Sequence, residues 1–391
     1  MRRSFALFSL LSLALSFFIF HAIHQQYIDT DIQEHINAAI AGEIPANFAF
    51  FSLIYYPLKW LNLLTFTNGM YCATLILTLS VWARFAVTTY LLQKSKIPAA
   101  WADIIAFLLA HFAFSLPRIG ILFNTLQYFK HQITFEYYQF SPYWFGQFPP
   151  FVWHNSTLIL LYPFALLLFW QSYEQLQRPS STRLLTIIAL VCLNIIIKPS
   201  FFFCFAGAYP LFLLKNFRLS RTFFLQLLPV IVGLFLLWFQ MRGIYHTETA
   251  NSGLGIKPFA EWAIHLGGNH FPLRAAQAIF CSFLFPICFF AVYPSFLSEQ
   301  KHQYTLLLLA GAMLLAILMG ENGERAGHGN FLWQMFVCNY LLFGITVSDF
   351  WKQLNINALQ KREKGLLFAL ALHLGSGGLY LVKLITLGTF A

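Results

Sequence analysis

The stretch RRSFALFSLLSLALSFFIFHAIHQQYIDTDIQEHINAAIAG, residues 2–42, decides the fold. Its first part, residues 5–23, is a continuous apolar run behind two arginines, and a helix needs roughly 20 apolar residues to cross a bilayer. The run is long and has no small-x-small cleavage pattern before His24. We therefore interpret it as an uncleaved membrane span with its amino terminus in the cytoplasm, which places the following polar residues outside.

Residues 27–42 are predicted to form an amphipathic helix that lies along the outer surface. Thr30 can cap its amide end together with Gln33 three residues later. Asp29 and Asp31 then sit at the start of the helix. At about 100° per residue, the polar side holds Asp31, Glu34, His35 and Ala38, and the apolar side holds Ile32, Ile36, Ala39 and Ile40.

Composition extends the membrane interpretation to the whole chain. The 391 residues are 59% hydrophobic and only 10% charged, with a mean hydropathy of +0.65, which excludes an ordinary soluble protein. We predict an all-α polytopic membrane protein whose residues 1–391 form one integral membrane domain, with interfacial helices in an outer acidic segment, residues 24–66. About 11 transmembrane helices are expected, at residues 5–23, 67–92, 98–115, 155–171, 184–197, 201–214, 222–241, 275–297, 305–319, 331–347 and 366–387.

The charge distribution indicates orientation and not nucleic-acid binding. The net charge is +10, but most lysines and arginines lie in short loops on the side of the amino terminus, and most acids lie on the other side. This is the positive-inside pattern. The six cysteines form no CxxC pair, so the sequence predicts neither a disulfide framework nor a zinc site.

Three further outer loops are expected, at residues 116–154, 242–274 and 321–330. The first ends in EYYQFSPYWFGQFPPFVWHN, residues 136–155, whose many aromatic side chains suit a sugar platform or a lid at the membrane surface. The last, ENGERAGHGN, has glycines that let backbone amides approach a ligand. It matches no P-loop, so we exclude nucleotide binding.

Several residues are predicted to have structural roles inside the helix bundle. Asp103 is predicted to cap the helix that begins near Pro98. His111 and His373 are predicted to be hydrogen-bonded inside the bundle. The glycine-rich residues 375–378 are predicted to allow close helix packing.

The acidic pair Asp29 and Asp31 is the strongest candidate for chemistry. A carboxylate near an apolar boundary can accept a proton from an alcohol, and a close pair can hold a divalent cation. The alternative is that both residues only cap the helix and keep its outer face hydrated.

A first span, an external Asp-x-Asp motif, an amphipathic helix and an aromatic return to the membrane together resemble the glycosyltransferase C superfamily. These integral membrane enzymes take a sugar from a polyprenyl-phosphate carrier and transfer it outside the cytoplasm. The resemblance covers roughly residues 1–65 by motif and the rest by topology. It implies that Asp31 or Asp29 deprotonates the acceptor hydroxyl.

A polyprenyl-phosphate donor also needs cations at its phosphate. The substrate-binding candidates are Glu34, His35, His154, Lys198, Arg242, Glu321, Glu324, Arg325 and His328. Lys198, in the bend Lys198-Pro199-Ser200, has the alternative role of a lysine that snorkels at a helix end. Arg325 has the alternative role of an ion pair with Glu321 or Glu324.

The sequence thus predicts a bacterial enzyme of the inner membrane with its site on the outer face. It would move a sugar from a polyprenyl-phosphate donor to a glycan, glycolipid or protein acceptor, with a divalent cation as an open possibility. Two rivals stay open. One is a polysaccharide polymerase or ligase that uses a diphosphate-linked glycan, and the other is a transporter or flippase for lipid-linked glycans.

Overall fold

A computed structural model describes residues 2–28, 30–41, 65–117, 144, 146–245, 253–266, 271–322, 329–354 and 359–388. Within these residues the chain forms fourteen α-helices, one 3-10 helix and two short strands. The first seven helices are α1 Arg3–His24, α2 Asp31–Ala41, α3 Phe66–Lys94, α4 Ala99–His111, α5 Ser156–Gln177, α6 Ser181–Ile197 and α7 Ser200–Phe217. There follow α8 Arg221–Gln226, α9 Leu228–Tyr245, β1 Leu254–Ile256, α10 Ala260–Leu266, α11 Phe271–Val292, the 3-10 helix Pro294–Ser298, α12 Gln300–Leu318, β2 Met319–Glu321, α13 Trp333–Gln353 and α14 Lys361–Leu387.

The protein is embedded in a membrane, as the sequence predicts. Eight helical segments of the described chain are long and apolar enough to cross a bilayer: Arg3–His24, Thr67–Lys94, Ser156–Gln177, Ser200–Phe217, Arg221–Arg242, Phe271–Val292, Gln300–Leu318 and Lys361–Leu387. Two of the other expected spans, α4 and α6, are apolar but shorter. At 1.5 Å per residue the 13 residues of α4 extend only about 20 Å. The prediction of about 11 spans is not confirmed.

Helix α2 begins with the predicted cap. The Thr30 hydroxyl accepts a hydrogen bond from the Ile32 amide at 3.1 Å, and the Gln33 side chain accepts one from the Thr30 amide at 3.2 Å. The apolar face is confirmed at Ile32 and Ile36, which are 1% and 0% exposed, but Ile40 is exposed. Contacts between α2 and α3 anchor this face, because Ile36 lies against Gly69.

The two ends of the helix bundle are distinguished by long-range contacts. At one end, Arg2 forms an ion pair with Asp103 at 3.2 Å, and Ser4 donates a hydrogen bond to the same carboxylate at 2.7 Å. The prediction that Asp103 caps a helix is therefore wrong, because its buried carboxylate binds the start of α1. At the other end, Gly388 lies against the carbonyl of Tyr27, which is four residues before the start of α2 at Asp31. We call these the Arg2 end and the α2 end.

A two-stranded antiparallel sheet joins two of the loops that the sequence treats as separate. Strand β1 pairs with β2 so that Leu254 lies opposite Glu321 and Ile256 lies opposite Met319. Beyond the ladder, the Lys257 amide donates to the Leu318 carbonyl at 2.8 Å. The sheet fixes α10, which follows β1, against the end of α12.

Close packing of α14 is confirmed. A Cβ atom at Gly377 would overlap the carbonyl group of Phe112, so only glycine fits there. His373 hydrogen-bonds the Phe114 carbonyl at 2.6 Å, and His111 hydrogen-bonds Ser12 at 3.1 Å, as predicted for satisfied interior histidines. Residues 112–115 are thus held along one side of α14.

The described helices enclose a buried arginine. Arg84 is 1% exposed and donates a hydrogen bond to the Ala110 carbonyl. Its Nε and Nη1 have no hydrogen-bond partner among the described residues. The guanidinium carbon lies 4.6 Å from the ring centroid of Phe151, 5.1 Å from that of Tyr162 and 5.8 Å from that of Tyr340.

Candidate functional site

An aromatic cavity of about 100 Å³ lies toward the α2 end of the bundle. Tyr380 in its wall is eight residues, or about 12 Å, before the Gly388 end of α14. The cavity is lined by Phe114, Trp144, Gly146, Gln147, Phe148, Pro149, Val152, His154, His265, Gly329, Leu332, Trp333, Phe336 and Tyr380. Eight of these fourteen residues, Phe114 and those from Trp144 to His154, belong to or border the outer loop predicted at residues 116–154.

Trp144 is held in place by two hydrogen bonds. Its indole nitrogen donates to the Ser115 carbonyl at 3.1 Å and to the Ser376 hydroxyl at 3.0 Å. The Tyr380 ring lies edge-on to Trp144, with the ring centroids 5.4 Å apart. The close contact at Gly377 therefore positions this wall, since Ser376 and residue 115 meet only when α14 approaches closely.

The backbone of residues 146–148 is tied to three helices. The Phe148 amide donates to the Ser282 hydroxyl of α11 at 2.9 Å, and the Asn339 side chain of α13 donates to the Phe148 carbonyl at 2.6 Å. Gly146 adopts a φ of +80°, and a Cβ atom there would contact the His265 carbonyl at 2.9 Å. Glycine is required because it tolerates both the positive φ and this close approach.

Gln147 is a polar residue of the cavity wall whose side-chain amide is not hydrogen-bonded by any described residue. It is 3% exposed, and neither its amide nitrogen nor its amide oxygen has a hydrogen-bond partner among the described residues. An unpaired buried polar group costs roughly 1–3 kcal/mol. A ligand that both donates and accepts hydrogen bonds would remove this cost.

Two histidines complete the lining. His265 lies near the end of α10 and reaches the cavity because the β1–β2 sheet fixes that helix. Burial lowers the pKa of His265 below its ordinary value, which favours the neutral form of its ring. His154 lies edge-on to Trp333, with the ring centroids 6.0 Å apart.

Two lysines lie against the tryptophans of the cavity. The Lys198 ammonium is 5.4 Å from the ring centroid of Trp333 and 3.3 Å from the Thr157 hydroxyl, to which it donates. The Lys383 ammonium is 5.5 Å from the ring centroid of Trp144. Lys198 follows α6, whose last residue is Ile197, as the predicted bend requires.

The structure brings together only some of the residues that the sequence proposes as a site. His154 lines the cavity, and Lys198 lies against its Trp333 wall. Asp31 begins α2, and Glu34 and His35 belong to the same helix, but their side chains lie outside the described part of the chain. Asp29, Glu324, Arg325 and His328 also lie outside the described residues.

Arg242 and Glu321 are described, and neither lines the cavity. Arg242 is exposed near the end of α9, with its guanidinium carbon 4.1 Å from the ring centroid of Trp238. Glu321 is buried in β2, where its carboxylate accepts a hydrogen bond from Asn330 at 2.5 Å. That bond connects the sheet to the residues just before the cavity wall at Leu332.

Among the described residues, one group has the donor atoms to hold the divalent cation that the sequence leaves open. It lies toward the Arg2 end, where Trp351 of α13 contacts Trp101 of α4. Glu299, His302 and Asp349 approach one another there closely enough to share an ion. However, Lys301 and Lys352 each contact the Asp349 carboxylate at 2.7 Å. Their ammonium groups already supply positive charge to this carboxylate, which opposes binding of a divalent cation.

Comparison with models of known protein families found no match, and a search of curated protein sequences found no significant match. The resemblance to the glycosyltransferase C superfamily therefore rests on the residues quoted above and stays a prediction.

Three cavity residues carry roles that the sequence analysis did not assign: Gln147, His265 and Trp333. Gln147 stands in the aromatic stretch that was interpreted as a sugar platform, so the local signal was present. His265 belongs to α10, and Trp333 is the first residue of α13. Their convergence depends on the β1–β2 sheet, which no periodicity in the sequence predicts.

Proposed function

We propose that the protein is a membrane glycosyltransferase that moves a sugar from a polyprenyl-phosphate donor to an acceptor hydroxyl at the α2 end of the bundle. In the positive-inside orientation this end is the outer face of a bacterial inner membrane. The acceptor would be a glycan, glycolipid or protein.

The observation that carries this proposal is an uncharged aromatic cavity located at the same end of the bundle as the start of α2. Small-molecule sites combine apolar walls with a few polar groups that fix the orientation of the ligand. The aromatic walls, Gln147 and the two histidines provide this combination. Tyr27 lies against Gly388, so the segment that leads to Asp31 approaches the same helix that carries Tyr380.

In the proposed reaction, the Asp31 carboxylate accepts the proton of the acceptor hydroxyl as that oxygen bonds to the anomeric carbon. Asp29 or Glu34 would orient the base. The bond between the anomeric carbon and the phosphate oxygen breaks, and the polyprenyl phosphate leaves with the electron pair. A cation such as Lys198 would stabilise the charge on the departing phosphate, as electrostatic catalysis requires.

The proposal is tested by transfer in proteoliposomes that contain the purified protein. The donors are C55 polyprenyl phosphates that carry tritiated hexoses or pentoses, with a matching diphosphate set for the polymerase or ligase alternative. Total envelope glycolipids serve as acceptors. Asp31→Asn is expected to lower transfer about 10²–10⁴-fold, because general base catalysis has this magnitude.

The matched control is Asn37→Ala, which changes an exposed polar residue of the same helix and should transfer at the parental rate. Transfer by Asp31→Asn at the parental rate would show that the assigned base is wrong. If the parent protein transfers label from none of the monophosphate donors, the proposed reaction fails.

Arg84 favours a second candidate function, transport of an anionic lipid-linked glycan. It lies ten residues, or about 15 Å, before the Lys94 end of α3, near mid-membrane depth. A buried ionisable group at this depth is typical of transport pathways. The same vesicles distinguish the candidates, since a transporter moves the labelled lipid to the other leaflet and leaves the sugar–phosphate bond intact.

A further inference from the structure

We propose that the aromatic cavity binds a single uncharged sugar ring and that Gln147 recognises its hydroxyl groups. This inference rests on the proposed function, because it names the class of sugar that is transferred. It concerns a binding step, so it can be measured apart from transfer.

The lining excludes charged sugars. None of the described residues that line the cavity is Asp, Glu, Lys or Arg. A uronic acid would bring a carboxylate into this space, and an amino sugar would bring an ammonium group, without an opposite charge in the wall. Burial of an unpaired charge costs several kcal/mol, so a neutral ring is strongly preferred.

Gln147 excludes an apolar occupant. Its amide offers two donors and one oxygen acceptor, and no described residue satisfies the nitrogen or the oxygen. A prenyl or acyl chain would leave both atoms unpaired. Neighbouring hydroxyls of a sugar both donate and accept, so they can bond the two ends of the amide at once.

The size of the cavity limits the ligand to one ring. Sites that enclose drug-sized molecules measure about 300–1,000 Å³, whereas this cavity measures about 100 Å³. The rings of Trp144, Phe148 and Trp333 provide flat apolar surfaces for the C–H faces of a sugar. An oligosaccharide would have to extend out of the cavity.

The nearby positive charges locate the phosphate outside the ring site. Lys198 and Lys383 lie against Trp333 and Trp144, at 5.4 and 5.5 Å from the ring centroids, and neither lines the cavity. A donor would thus place its neutral ring between the tryptophans and its phosphate toward a lysine. Burial of the phosphate itself is not required.

Saturation-transfer NMR on the purified protein in nanodiscs tests the inference with small probes. The neutral probes are the methyl glycosides of glucose, galactose, mannose and arabinose, and the charged probes are methyl glucuronide and methyl glucosaminide. We expect at least one neutral glycoside to bind and its charged counterparts to bind at least about tenfold more weakly, which corresponds to about 1.4 kcal/mol. This comparison needs only the parent protein.

Gln147→Leu should weaken binding of the neutral glycoside at least about tenfold, because the bonded amide is lost. Gln25→Leu is the matched control, since it makes the same change at an exposed site and should bind as the parent does. Thermal unfolding of each variant shows that it is folded.

Equal binding of charged and neutral probes, unchanged binding by a folded Gln147→Leu, or no binding of any neutral glycoside would overturn the inference. The Asp31→Asn variant is expected to bind the neutral glycoside as the parent does. If the cavity selects neutral sugars while Asp31→Asn still transfers label, the assigned base fails and the sugar site stands. If transfer requires Asp31 but the cavity does not discriminate by charge, the sugar site fails alone.

Discussion

The contribution of Arg84 to stability depends on the groups that surround its guanidinium. Burial of a guanidinium group costs several kcal/mol. The opposing contributions are one charged hydrogen bond, about 1.5–3 kcal/mol, and three aromatic rings, each about 0.5–2 kcal/mol. These terms nearly cancel, so the charge adds little net stability.

We therefore expect Arg84→Met to keep the free energy of unfolding within about 1 kcal/mol of the parent value. Arg84→Lys should lower it by roughly 2 kcal/mol, because an ammonium group is more strongly hydrated and cannot stack on Phe151. Thermal unfolding in detergent measures both variants. A methionine variant less stable than the lysine variant would contradict this balance.

The contacts of single residues differ in how far the sequence predicts them. The Thr30 cap was predictable, because the cap and its partner Gln33 are three residues apart. The partner of Asp103 was not, because Arg2 is distant in sequence and only the packing of α1 against α4 brings them together. Gln147 was visible as a polar residue in an aromatic stretch, but its unpaired amide became apparent only in the folded chain.

Helix α14 is the element on which the cavity wall depends most directly. Gly377 permits contact with the Phe112 carbonyl, and the neighbouring Ser376 holds Trp144. The sequence identified residues 375–378 as a close-packing segment. It could not show which glycine makes the contact.

Gly377→Ala is expected to destabilise the protein by about 1–3 kcal/mol, because a methyl group must displace backbone atoms. It should also weaken neutral-glycoside binding as Trp144 moves. Gly378→Ala is the control, since a Cβ atom there meets nothing within 4 Å. Thermal unfolding compares the two variants, and equal unfolding midpoints would contradict the assigned contact.

The strands β1 and β2 were not predicted, and their length explains why. Each has three residues with glycine at the centre, LGI and MGE, so neither shows the alternation by which strands are detected. The long helices were predictable, because an apolar run of roughly 20 residues can be recognised in the sequence without knowing which segments pack against it.

At the scale of the whole molecule, two contacts between segments that are distant in sequence define opposite ends of the bundle. Arg2 meets the start of α4 at one end, and Tyr27 meets the end of α14 at the other. The structure itself shows that these two ends are separate. Which compartment each end faces is predicted from the positive-inside rule.

Cysteine labelling of intact cells tests this orientation. In a background that lacks the six native cysteines, Asn37→Cys should react with a membrane-impermeant thiol reagent from outside. Lys361→Cys, which is also exposed, should react only after the membrane is permeabilised. The reverse pattern would place α2 in the cytoplasm and remove the proposed external site. The cysteine-free parent controls for background labelling.

The surroundings of Arg84 also constrain the order of biogenesis. Chains are synthesised from the amino terminus, and Ala110, Phe151, Tyr162 and Tyr340 all follow Arg84 in the sequence. When α3 leaves the ribosome, its arginine has none of these partners, and an arginine at the centre of a helix carries an insertion cost of about 2.5–3.5 kcal/mol. The apolar remainder of α3 must offset that cost until α13, near the end of synthesis, brings the last ring to the guanidinium.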